Sequence, residues 1–89
     1  MNWAVVFVNF HCSQDIEARV QAYDSRGIQC VVVDNSGEYS GPGEVVRAGS
    51  NIGFGAACNL GVQVLDPSVD VVCLHNPDVH PSVELLADL

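Results

Sequence analysis

Three short, nearly unbroken apolar runs, Ala4 to Asn9, Cys30 to Asp34 and Val69 to Leu74, constrain this chain more than any other feature. Each is rich in β-prone residues and is followed by polar ones, the pattern of parallel strands covered on both faces. Between the first two, Ser13 to Tyr23 reads as a helix with Ile16, Val20 and Tyr23 along one face. Ser13 is its expected N-cap, Asp15 and Glu17 suit its first turn, and Gly27 ends it. Ala4 to Asp34 is therefore a strand, helix, strand unit, for which a right-handed crossover is expected.

The next stretch, Ser36 to Ser50, is rich in Gly and Ser and leaves only Val45 to Arg47 as a short edge strand. Gly53 to Leu65 is predicted as a second helix, with Phe54, Cys58, Gly61, Val62 and Leu65 on the face toward the sheet. Asp66 and Pro67 stop it. After the last apolar run, Pro81 suits a first helical position, and Val83, Leu86 and Leu89 begin a further apolar face. The 89 residues allow one domain, spanning 1–89. The order of elements predicts an α/β fold: a Rossmann-like parallel sheet with helices on both faces. Such sheets bind ligands at the carboxyl ends of their strands, here Asn9 to Cys12, Asp34 to Ser36 and His75 to Asp78.

Composition removes several function classes. Eleven acids stand against three arginines and no lysine, a formal charge of -8, so the basic footprint of a nucleic-acid binder is missing. The apolar runs are too short to span a bilayer, and no basic segment precedes the first. Four cysteines at uneven spacing, without a CxxC pair, read as reduced thiols, and a cytoplasmic location is expected.

The most informative segment runs from Asn51 to Gly61, N-I-G-F-G-A-A-C-N-L-G. It is not a dinucleotide fingerprint: that loop follows the first strand and needs a small third residue, whereas this one follows a late strand and has Cys58 there. What remains is a glycine-flanked helix start at Gly53, whose free N–H groups and dipole can face an anion, with Asn51 and Asn59 able to hydrogen-bond it or the loop. The same residues read equally as an Asn-capped helix packed through small side chains.

Together with the apolar strand that follows and with Asn76-Pro77-Asp78, this N-x-G-F-x-x-x-x-N-x-G stretch resembles the donor half of family-two inverting glycosyltransferases of the GT-A fold. The likeness is to the bacterial rhamnosyl- and galactosyltransferase-like members. Val6-Phe7-Val8-Asn9-Phe10 and Val31-Val32-Val33-Asp34-Asn35-Ser36 resemble the first two strands of the same family, so the likeness covers essentially the whole chain.

The resemblance implies roles. Asp34 would accept a hydrogen bond from the imide N–H of uracil or thymine, with Asn9 and Phe10 beside the base. Asn51, Gly53, Asn59 and Asn76 would join the nucleotide site. Asp78 would bind the divalent cation, Mg2+ or Mn2+, that bridges the two phosphates of a nucleoside diphosphate sugar. A lone carboxylate with Asn76 nearby suits a hard cation held mainly by phosphate and water. By residue chemistry alone, Asp34 to Gly37 and Asn76 to Asp78 also read as turns. A zinc site from His75, Asp78 and His80 fits no familiar spacing.

The implied reaction transfers a hexose, with inversion, to a hydroxyl of a glycan or lipid-linked acceptor. Its catalytic base belongs to the family's second, acceptor-binding half, so the 89-residue chain is expected to be a truncated, inactive donor half that forms a homodimer. The competing expectation is a non-catalytic nucleotide-sensing or receiver-like module. Against a receiver, the first strand ends in Asn9 rather than acids.

Overall fold

The computed structural model describes residues 2–75. Strand β1 is Trp3–Asn9, helix α1 Ser13–Asp24, β2 Gln29–Asp34, β3 Glu44–Arg47, helix α2 Phe54–Gln63 and β4 Val71–His75. All pairings are parallel, in the order β3-β2-β1-β4. Among the described residues this is a mixed α/β fold of four strands and two helices. The expected helix 81–89 lies outside them.

The alternation of the strands divides the core in two. On one face Val5 and Phe7 of β1 and Cys30 and Val32 of β2 meet Ile16, Val20 and Tyr23 of α1, the three positions the helical periodicity singled out. On the other, Val6, Val8, Val31 and Val33 meet Ala57 and Cys58 of α2. Helix α1 ends as Gly27 takes a φ of +75° and Ile28 N–H donates to the Tyr23 carbonyl at 3.2 Å.

Five expectations are corrected. Cys12, not Ser13, occupies the N-cap of α1, because the Ser13 hydroxyl is engaged by Asn9. Helix α2 begins at Phe54 and ends at Gln63, short of Leu65. Its buried face is Ala57, Cys58 and Gly61, while Phe54 and Val62 are exposed. The cause is close packing: a Cβ on Gly61 would stand 2.5 Å from Val6 Cγ1, so the helix rests on its small residues and its larger ones lie off the contact.

The last strand starts at Val71 rather than Val69, since Val69 N–H closes a turn onto the Asp66 carbonyl at 3.0 Å. Among the described residues it is also not covered on both faces: Val72 and Leu74 are exposed. In register these two share the side of Ala4 and Val6, the side on which α2 lies over β1 and β2. Among the described residues no helix is long and apolar enough to cross a membrane.

Candidate functional site

Parallel pairing brings the carboxyl ends of β1, β2 and β3 side by side, and Asn9, Asp34 and Arg47 stand at those ends in register. Asn9 is fully buried. Its amide nitrogen faces Asp34 Oδ1 at 3.0 Å, Ser13 Oγ at 3.1 Å and Ser36 Oγ at 3.3 Å, and its Oδ1 accepts the Cys12 N–H at 3.1 Å. Asn9 thus ties both loops that follow β1 and β2 rather than presenting a free group to a ligand.

Asp34 is the hub of this edge. It is 1 % exposed, and both carboxylate oxygens are engaged. Oδ1 accepts from Asn9, from the backbone N–H groups of Ser36 and Gly37 at 3.2 and 3.1 Å, and from the Ser36 hydroxyl. Oδ2 accepts from Tyr39 N–H at 3.0 Å and from the Arg47 guanidinium. Burial by itself pushes the carboxyl pKa up, but the Tyr39, Asn9, Ser36 and Arg47 hydrogen bonds outweigh it and hold the group at about 2. Asp34 is therefore an anion that organises the turn after β2 and anchors Arg47, whose side chain is otherwise half exposed. The turn read at Asp34 to Gly37 is present, and it is built on the Asp34 carboxylate.

The second part of the edge is the start of α2. Gly53, at a φ of +86°, is its N-cap and has no side chain to cap the first turn. Asn51 Oδ1 accepts the Gly53 N–H at 3.2 Å and the side-chain amide of Asn35 at 3.3 Å. This last bond joins the end of β2 to the beginning of α2. A cavity of about 320 Å³ opens there, lined by Asp34, Asn35, Ser36 and Arg47 together with Gly49 and Ser50.

The remaining sequence-derived residues are dispersed. Phe10 is 48 % exposed, its ring centroid 4.3 Å from that of His11. Asn59 lies exposed on α2 beyond its first turn, away from the start of the helix. Asn76 and Asp78 lie outside the described residues, as does His80 of the zinc alternative. Within residues 2–75 no group of three or more His, Cys, Asp or Glu side chains is placed to hold a metal.

Two contributors were missed by the sequence reading. Arg47 carried a signal, as one of only three cations in the chain and the last residue of a short strand. Asn35 lay within the Asp34 to Ser36 edge segment but had no role of its own there, because its partner Asn51 is sixteen residues away and separated from it by a loop and a strand. Comparison with known families, with curated proteins and with solved structures finds no match to this chain.

Proposed function

We propose that this chain binds the donor, a nucleoside diphosphate sugar of uridine or thymidine type, as the nucleotide-binding half of an inverting family-two glycosyltransferase of the GT-A fold. The observation that carries the reading is the Asn35 to Asn51 hydrogen bond. It brings the two segments that bear the family pattern, the end of β2 and the glycine-led start of α2, to one edge of the sheet. Parallel order with helices on opposite faces supports a Rossmann-like donor domain, and ligands bind such sheets at this edge.

The chemistry divides by position. The first-turn N–H groups of α2 have no side-chain cap and suit the negative charge of a diphosphate. The cavity beside Asn35 and Arg47 suits a base, at the lower end of the size range of ligand pockets. A divalent cation, Mg2+ or Mn2+, would be held by Asp78, outside the described residues, and would offset diphosphate charge as the bond to the sugar breaks. The base that deprotonates the acceptor is assigned to no residue of this chain.

Calorimetric titration with uridine, thymidine, adenosine and guanosine diphosphates, with and without Mn2+, tests the reading. Binding confined to the two pyrimidine nucleotides is the expected result. Indifference to the base, or no nucleotide binding under any condition, would overturn it.

A further inference from the structure

Among the described residues β4 pairs with β1 alone, so the N–H and C=O groups along its outer side meet no strand. Its side face is open as well. Val72 and Leu74 share the side of Ala4 and Val6, but α2 lies over β1 and β2, and Leu74 is 50 % exposed. An edge that is bare in both backbone and side chains is a template for a further strand.

The two edges of the sheet are not alike. β3, at the far edge, is four residues long and carries a charge at each end, Glu44 and Arg47, the kind of edge that resists pairing. β4 reads Val71-Val72-Cys73-Leu74-His75, with no carboxylate, lysine, arginine, proline or glycine. Asp70, the acid just before it, is turned onto its own chain, where it accepts the Asn2 N–H at 2.9 Å. In a chain with a formal charge of -8, two copies repel each other over most of their surface and meet at least cost where charge is absent.

We infer that β4 is the contact surface for a second copy of this chain, the two β4 strands pairing antiparallel about a twofold axis at Cys73. Twofold symmetry makes the strand its own partner, so the register is set by which residues it places opposite one another. Centred on Cys73, Val71 faces His75 and Val72 faces Leu74 of the other copy, and every residue of β4 is paired within the strand. Moving the centre to Val72 sets Asp70 opposite Leu74, and moving it to Leu74 leaves Val71 and Val72 facing positions beyond the strand. The register at Cys73 joins the Val72 and Leu74 rows of both copies into one apolar strip on the α2 side, with facing Cβ atoms about 5 Å apart. The sheet then runs β3-β2-β1-β4 and back through the second copy. Because the paired strands are antiparallel, the carboxyl edges of the two copies face opposite ways, and the inference does not rest on what binds there.

A five-residue edge is short, so the dimer is expected to be weak, at the low end of interface sizes, and to dissociate on dilution. Multi-angle light scattering and sedimentation equilibrium of the 89-residue chain, at micromolar to millimolar concentration, should show a monomer that passes to a dimer and no further. Leu74→Lys should weaken association at least about tenfold, whereas Glu44→Lys on the β3 edge should leave it unchanged. In a sample mixed from isotopically labelled and unlabelled parent chains, filtered nuclear Overhauser effects should connect the Val72 methyl groups of one copy to the Leu74 methyl groups of the other, a readout that needs no substitution. A monomer at every concentration, the outcome if the chain's own residues 76–89 cover β4, overturns the inference. So does a dimer insensitive to Leu74→Lys, or one whose intermolecular contacts run through β3 or α2 in place of Val72 and Leu74.

Discussion

Asn9 and Asp34 stand opposite each other in the parallel register of β1 and β2, and their buried side chains are joined by a 3.0 Å hydrogen bond. That one contact closes the carboxyl edge of the sheet. Through it the turn before α1, the turn after β2 and the end of β3 become one network.

Removing the hub should therefore cost stability before it costs binding. Asp34→Ala strips acceptors from Asn9, Tyr39 and the Ser36 and Gly37 backbone, and is expected to destabilise the fold by roughly 3 kcal/mol. Asp34→Asn, which keeps one oxygen, should cost less. Urea unfolding followed by Trp3 fluorescence measures both, and a change within about 0.5 kcal/mol for the alanine variant would contradict the network.

The same carboxyl sets an acid limit. Its folded pKa of about 2 lies below the ordinary 3.8, so its contribution is present above pH 3.8 and is lost as pH falls toward 2. The difference corresponds to about 2 kcal/mol. Unfolding free energy of the parent chain should decline across that window more steeply than that of Asp34→Asn.

At the alkaline end the two tyrosines are expected to resist ionisation. Burial pushes the Tyr39 phenol up to about 12, with Glu17 and Cys30 adding to it, and burial also raises Tyr23. A raised folded value means stability that is present below pH 10 and is lost as pH rises toward 12. Tyrosinate absorbance in the folded chain should be delayed beyond pH 10, and a full two-tyrosine step at pH 10 without unfolding would count against the buried placement. Tyr39→Phe, which loses the 2.5 Å bond from its hydroxyl to the Pro42 carbonyl, should cost about 1 kcal/mol.

Two glycines of α2 should respond in opposite directions. A Cβ at Gly61 meets Val6 at 2.5 Å and Val33 at 3.0 Å, so Gly61→Ala should destabilise by about 1 to 3 kcal/mol despite its better helix propensity. Gly55→Ala meets nothing within 4 Å and should stabilise by about 0.5 to 1 kcal/mol. Thermal melts of the pair decide whether close packing or propensity governs this helix.

Thiol reactivity should follow burial. Cys30 is buried and pushed up to about 12 by desolvation and by Asp24, and Cys58 is buried and raised by desolvation. Both are expected to resist iodoacetamide at pH 8 until the chain unfolds, whereas Cys12, partly exposed at the start of α1, should be alkylated in the folded state. Peptide mass spectrometry reads the order.

The sequence by itself determined which runs become strands, though not their bounds, and which face of α1 is buried. Apolar runs and the period of Ile16, Val20 and Tyr23 are local signals, written within a few residues. The parallel direction was legible too for β1 and β2, which are covered on both faces and read as continuous apolar blocks. What only the tertiary structure decided were the partners. That Asp34 is saturated, that Arg47 pairs with it and that Asn51 turns the oxygen of Asn35 away depend on contacts between residues 13 and 16 positions apart. The buried face of α2 was decided the same way: periodicity proposed Phe54 and Val62, but the close approach at Gly61 selected the small residues, because steric fit against Val6 and Val33 outweighs hydrophobicity where two backbones nearly touch.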